Sequence, residues 1–109
     1  MTAPPDLVPR QVADALVESL RAVPGVFDVH SGAFGEVALL FPRHRVPGLR
    51  LSTRPPRRLE VHLVADLASS RPLEDVAAEI RRIVHEAVPG VPVDVVFGEA
   101  TRPERNDSA

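Results

Sequence analysis

The sequence predicts an α+β fold, a two-layer sandwich in which two helices pack on one face of a mostly antiparallel sheet of three to five strands, in the order α-β-β-β-α-β. Three observations predict it. Apolar residues recur at helical spacing in one stretch near each end of the chain, and period-two alternation fills the middle. The five residues AVPGV also occur twice, each time between a helical stretch and a β-rich one. A chain of 109 residues suffices for one such domain with one core.

Two amphipathic helices are predicted from apolar residues at three- and four-residue spacing. The first stripe comprises Val12, Leu16 and Leu20, and the second comprises Leu73, Val76, Ile80 and Val84. We expect Ser69 or Ser70 to cap the second helix and Pro72 to lie in its first turn. Both helices should end at AVPG, because proline cannot continue a helix and glycine accepts a positive φ.

Between the helices the period is two, which is typical of strands with one face on a core. Runs of this kind cover Val37–Phe41, Leu49–Leu51 and Leu59–Ala65, with shorter β-rich runs at Val26–His30 and Val93–Phe97. Turns are expected at the glycine- and proline-marked stretches SGAFG, FPRHRVPG and TRPPRR. The predicted boundaries are a flexible segment at 1–8, one domain at 9–100 and a disordered tail at 101–109.

Composition excludes several classes of function. With 44% hydrophobic and 26% charged residues and no apolar run near twenty residues, we expect a cytoplasmic protein whose membrane contact, if any, is peripheral. The N-terminal residues MTAPPDLVPR lack the features of a secretion signal. The chain contains no cysteine and no lysine, which excludes thiolate and Schiff-base chemistry.

No catalytic, cofactor or metal site is predicted. The four histidines, His30, His44, His62 and His85, are scattered over different predicted elements and form no close ligand pair. The stretch GAFG, Gly32 to Gly35, matches the GxxG of KH domains, but it lies between predicted strands, whereas KH domains place it between helices. We interpret it as a hairpin turn.

The strongest charge feature is the arginine segment, Pro42 to Leu59. It contains no acid, so the rest of the chain has seven arginines against 15 acids. Such a segment is suited to docking on an acidic protein, an anionic lipid surface or nucleic acid. The alternative is a solvated rim whose arginines pair with acids of the second helix. The candidate partner-binding residues are the six arginines of this segment, Arg43, Arg45, Arg50, Arg54, Arg57 and Arg58.

Four stretches resemble the alkaline-shock, or envelope-stress-response, family of Gram-positive bacteria, and its actinobacterial branch in particular. They are VADALVESLRAVPGVFDV, FGEVALLFPRHRVPGLRL, LEVHLVADL and PLEDVAAEIRRIVHEAVPGVPVDVVFGE, which together span about residues 9 to 100. Where the family commonly has a tyrosine or tryptophan followed by glycine after the long strand, this chain has ADLASSRP, Ala65 to Pro72.

The resemblance implies a non-catalytic adaptor or scaffold at the cytoplasmic face of the membrane. It would act in cell-envelope homeostasis by binding a small integral-membrane protein and by self-association as a homo-oligomer, without a cofactor or a small-molecule substrate. An anionic lipid surface is a further expected contact of the arginine segment. The alternative function is a nucleic-acid-binding module of KH-like or RRM-like shape that uses segment 43–58. Nucleic acid is the less favoured partner, because the chain has no Tyr or Trp and only four Phe for base stacking.

Overall fold

The computed structural model describes residues 8–103, which form two helices and six strands. These elements are α1 (Arg10–Arg21), β1 (Val26–Val29), β2 (Ala38–Phe41), β3 (His44–Pro47), β4 (Leu49–Leu51), β5 (Leu59–Asp66), α2 (Leu73–Ala87) and β6 (Val93–Thr101). The predicted α+β class is confirmed. Between the helices the chain has five strands where the sequence predicted three or four, so the observed order is α-β-β-β-β-β-α-β.

The main sheet has four strands built around β5. β6 runs parallel to β5 along its whole length, from Leu59 beside Val93 to Asp66 beside Thr101. The other edge of β5 is shared by two antiparallel strands, since β4 pairs with its first half and β1 with its second. β5 is thus hydrogen-bonded on both edges, and the sheet is mostly antiparallel as predicted.

The second sheet is a two-stranded hairpin of β2 and β3, whose register places Leu39 beside Val46. The stretch FPRHRVPG was predicted to be one turn, and this is wrong. The turn occupies only Pro42 and Arg43, and β3 begins directly after it. Arg43 meets the turn geometry with a positive φ of 58°, which is uncommon for a residue other than glycine.

The two helices cover one face of the main sheet. Their buried stripes include Leu16 and Leu20 from α1 and Val76 and Ile80 from α2. These side chains meet the inward positions of β5, of which Leu63 is fully buried. The core among the described residues is made of hydrophobic side chains alone, and none of its members is polar or charged. Its members are Val8, Ala13, Leu16, Val17, Leu20, Val23, Val26, Leu39, Val46, Leu49, Leu59, Val61, Leu63, Val76, Ile80, Val84, Val88, Val91 and Val93.

Both AVPGV stretches end a helix and lead into a strand, as predicted. Gly25 and Gly90 adopt positive φ values of 101° and 86°, which the turns require. The two joints differ in their surroundings. Gly25 is buried against Val76 of α2, whereas Gly90 faces open space.

The predicted serine cap of α2 is wrong. The helix begins after Pro72, which occupies the N-cap position in an extended conformation without a side-chain cap. The hydroxyl of Ser69 instead accepts a hydrogen bond from the N–H of Arg71 at 3.1 Å, which fixes the turn before the helix. The negatively charged Glu74 and Asp75 lie in the first turn, where the helix dipole favours them.

The predicted terminal segments fall mainly outside the described residues. Residues 1–7 of the segment 1–8 and residues 104–109 of the tail 101–109 are not described. At the described boundaries, Val8 is buried in the core and β6 continues to Thr101. In the described part of the chain, neither helix combines the length and the hydrophobicity that crossing a bilayer requires.

Candidate interaction surface

The arginine segment folds into two turns and the strands between them. Its six arginines therefore occupy different environments. Arg43 lies in the β2–β3 turn, Arg45 on β3, Arg50 on β4, Arg54 and Arg57 in the β4–β5 loop, and Arg58 directly before β5. Arg50 and Arg58 are half-buried, and the other four are exposed.

Arg50 is held against the sheet by Glu60, its cross-strand neighbour on β5. Its Nε and Nη2 donate hydrogen bonds of 3.0 and 2.8 Å to Glu60 Oε1. His62 Nε2 lies 3.0 Å from the same oxygen. The hydrogen bond from His62 is the largest cause that lowers the pKa of Glu60, and the bond and charge of Arg50 add to it. Arg50 therefore serves the fold and has little capacity left for a partner.

Arg58 is likewise engaged, because it binds Asp94 of β6 with both ends of its guanidinium fork. Nε donates to Oδ2 at 2.8 Å and Nη2 donates to Oδ1 at 2.7 Å. This bidentate pair lowers the pKa of Asp94 and raises that of Arg58. It ties the end of the β4–β5 loop to β6.

The remaining four arginines have no carboxylate within 4.0 Å among residues 8–103. Arg43 and Arg45 belong to the hairpin, and Arg54 and Arg57 belong to the β4–β5 loop. All four are exposed. A cation in this situation keeps its charge available for a partner. These four residues, which we call the free arginines, are the part of the segment suited to docking.

The alternative of a rim paired with α2 fits the segment poorly. Its two engaged arginines pair with carboxylates of β5 and β6, not with those of α2. The α2 carboxylates Glu79 and Glu86 are engaged by Arg71 and Arg82 instead. Sequence spacing could not distinguish these outcomes, because the choice of partners depends on strand register.

Two exposed apolar side chains accompany the hairpin arginines. Leu40 is directly opposite Arg45 in the β2–β3 ladder and is 77% exposed. Phe34, in the turn before β2, is 94% exposed. Neither residue was predicted from the sequence to be part of an interaction surface. The signal was present in part, because Leu40 falls on the outward phase of the alternation in β2.

The face of the main sheet opposite the helices carries a polar cluster. In addition to Glu60 and His62, His30 Nε2 lies 3.4 Å from Glu99 Oε1. Asp94 lies on the same face as its neighbour Glu60. Two of these three carboxylates, Glu60 and Asp94, are paired with Arg50 and Arg58, and Glu99 is exposed beside His30. Among residues 8–103 no group of three or more histidine and acidic side chains is placed to hold a metal ion.

A shallow cleft of about 520 Å³ lies beside the Arg50–Glu60 pair and is bordered by Arg54 and Thr53. Its rim thus combines one free and one engaged guanidinium.

Comparisons with protein-family models, with curated proteins and with solved structures found no match to this chain. A functional proposal therefore depends on the geometry of the surface itself. Its distinguishing features are the four free arginines and the exposed side chains of Phe34 and Leu40.

Proposed function

We propose that this protein is a non-catalytic adaptor that binds an acidic segment of a small integral-membrane protein at the cytoplasmic face of the membrane. The free arginines Arg43, Arg45, Arg54 and Arg57 make the contact. One observation carries the proposal. The arginine segment divides into two residues that stabilise the fold and four exposed residues without an ion-pair partner in the described chain.

The physical case is uncompensated positive charge. Four exposed arginines without a carboxylate within 4.0 Å among residues 8–103 favour a partner that supplies negative charge. Rim arginines of this kind accelerate association and select partners by charge, which suits an adaptor. The resemblance to envelope-stress-response proteins is consistent with such a role, and self-association would increase the number of free arginines presented to a membrane.

Recruitment in cells tests the proposal. A fluorescently tagged copy at native expression should give a ring at the cell periphery. Changing all four free arginines to glutamine should abolish the ring and reduce the peripheral signal by at least tenfold, because each lost contact weakens binding. Far-ultraviolet circular dichroism and thermal melting should remain unchanged, since the four side chains are exposed.

The matched control removes the same charge elsewhere. It changes four exposed arginines outside the segment, Arg10, Arg81, Arg82 and Arg102, to glutamine. The ring should persist in this variant. If both variants lose the ring equally, net charge rather than the free arginines recruits the protein. If neither loses it, the proposal is wrong.

The nucleic-acid alternative makes a different prediction in the same cells, namely signal over the nucleoid, together with in vitro binding that falls steeply with salt. The chain has no Tyr or Trp and only four Phe, which argues against an RRM-like mode, in which aromatic side chains of the sheet would stack bases.

A further inference from the structure

The β2–β3 hairpin and the turn before it combine exposed apolar side chains with unpaired cations. We call Phe34, Leu40, Arg43 and Arg45 the hairpin wedge. Phe34 and Leu40 are the two most exposed large hydrophobic residues of the described chain, at 94% and 77%. The next, Phe27, is 51% exposed. Two such side chains on one hairpin and the turn before it, rather than a single exposed one, are the kind of grouping that marks an interaction surface.

Leu40 and Arg45 share one surface of the hairpin, next to the turn that bears Phe34. Leu40 and Arg45 are cross-strand partners on the outward face of the hairpin, while Leu39 and Val46 beside them point into the core. The Arg45 guanidinium also lies over Gly35, because a Cβ placed on that glycine would be 3.1 Å from Nη2. Arg45 thus bridges Leu40 and the turn that bears Phe34.

The wedge is anchored to the body of the domain. The buried pair Leu39 and Val46 fixes the inner face of the hairpin. Next to the turn, His44 Nε2 lies 2.9 Å from Asp14 Oδ1 on α1. The turn before β2 is closed by the N–H of Gly35, which donates to the carbonyl of Gly32 at 3.2 Å. Because the hairpin is already ordered, its insertion into a membrane would not carry the entropy cost of ordering a flexible segment.

We infer that the hairpin wedge inserts into the headgroup region of an anionic phospholipid bilayer. The inference rests on the proposed function, since it specifies how an adaptor at the membrane would contact the lipid itself. Arg43 and Arg45 would then contact lipid phosphates as well as the acidic segment of the partner, whereas Arg54 and Arg57, on the β4–β5 loop, would contact that segment alone.

Charge and shape favour lipid over a protein groove or a second copy of the chain. Aromatic and aliphatic side chains enter the headgroup boundary while arginines stay at the phosphates, which is the combination the wedge presents. Phe34 projects from a turn, and a fluid interface accepts such a projection without a preformed pocket. Glu36 is an exposed carboxylate beside the turn, and its Oε1 accepts a hydrogen bond of 3.0 Å from the N–H of Phe34.

The chain contains no tryptophan, so one introduced residue reports from one position. The purified full chain with Phe34→Trp is titrated with vesicles of phosphatidylcholine mixed with phosphatidylglycerol, and with vesicles of phosphatidylcholine alone. We expect its emission to shift to the blue on the anionic vesicles and to shift much less on the neutral ones. The control Phe27→Trp, at the next most exposed position, should show no shift. No shift at position 34, or equal shifts at both positions, would overturn the inference.

Co-sedimentation with the same vesicles separates the contributions. Changing Arg43 and Arg45 to glutamine should weaken partitioning roughly 30-fold, about fivefold for each arginine near an anionic surface. The matched pair Arg10→Gln and Arg81→Gln, which are exposed elsewhere, should change it less than about threefold. An equal loss of vesicle partitioning in the two double variants would mean that net charge alone attracts the protein. The inference that the hairpin wedge inserts into the bilayer would then be wrong.

The apolar contribution is tested with Phe34→Ser and Leu40→Ser together, for which we expect a loss on the order of tenfold or more. The control changes Phe27 and Leu67, which are about half exposed, to serine. These outcomes are distinguishable from failure of the proposed function. Absent vesicle binding with an intact, arginine-dependent ring in cells would reject the wedge alone, whereas vesicle binding without a ring would reject the adaptor role.

Discussion

Replacing Glu60 with glutamine should destabilise the fold by about 1–2 kcal/mol at neutral pH. Glu60 Oε1 receives two hydrogen bonds from Arg50 and a third contact from His62, at 2.8 to 3.0 Å. A charge-assisted hydrogen bond is worth about 1 kcal/mol more than a neutral one. Three such bonds would give about 3 kcal/mol, but the Arg50 side chain is 43% exposed and solvent screening reduces the total.

The pH dependence identifies the cause. The pKa of Glu60 is lowered in the folded state, so its contribution is complete above the pKa of an unfolded glutamate, about 4.3, and is lost as the pH falls through the lowered folded value. The difference between the wild type and Glu60→Gln should therefore be present near pH 7, and it should shrink as the solution is acidified below about pH 4.

Urea denaturation at a series of pH values measures both effects. The matched control is Glu99→Gln, which lies on the same sheet face but is 65% exposed, and whose one ion pair among residues 8–103 is with His30, at 3.4 Å. Its effect should stay within about 0.5 kcal/mol. Equal stability of the wild type and Glu60→Gln at neutral pH would refute the reasoning, as would a difference that does not change with acid.

Two further predictions concern the joints and the core. Gly25→Ala should cost at least about 1 kcal/mol more than Gly90→Ala, because both have positive φ but a Cβ at Gly25 would meet Val76 Cγ2 at 2.6 Å, whereas Gly90 faces open space. Thermal melting of the two variants compares them directly, and equal losses would show that the joints are equivalent. Leu63→Ala should cost about 2–5 kcal/mol in urea denaturation because Leu63 is fully buried, while Leu40→Ala should change stability by less than about 0.5 kcal/mol. A small loss at Leu63 would mean that the core closes around the cavity.

The sequence predicted the elements whose signals are local. The two helices and both AVPGV joints follow from periodicity and from proline and glycine, and these act within a few residues. The strand β3 was not predicted, because the local signals in its sequence indicate a turn. Pro42, Pro47 and Gly48 make FPRHRVPG look like a turn, and the strand forms only because Arg43 takes a positive φ and Val46 is buried beside Leu39.

The candidate surface was predictable as a charged segment but not as a division into engaged and free arginines. Arg58 pairs with Asp94, 36 positions away, because β6 lies parallel to β5 in one particular register. Arg50 pairs with Glu60 for a similar reason. The composition of the segment gives the number of arginines, but the strand register determines which of them lie beside a carboxylate. The exposure of Phe34 likewise depends on where the turn before β2 projects, and its sequence neighbours do not determine this.

The central place of β5 has a consequence for cooperativity. One edge of this strand is completed by β1, whose paired residues lie 34 to 39 positions earlier in the chain, and the other by β6, which follows it across α2. Each ladder therefore closes a long loop before it gains its hydrogen bonds. The part of the chain before α2 and the part after it each lack strands of the main sheet. We therefore expect the two parts to unfold together rather than separately. Loss of β1 or of β6 would expose the backbone hydrogen-bonding groups of β5, with which β1, β4 and β6 all pair.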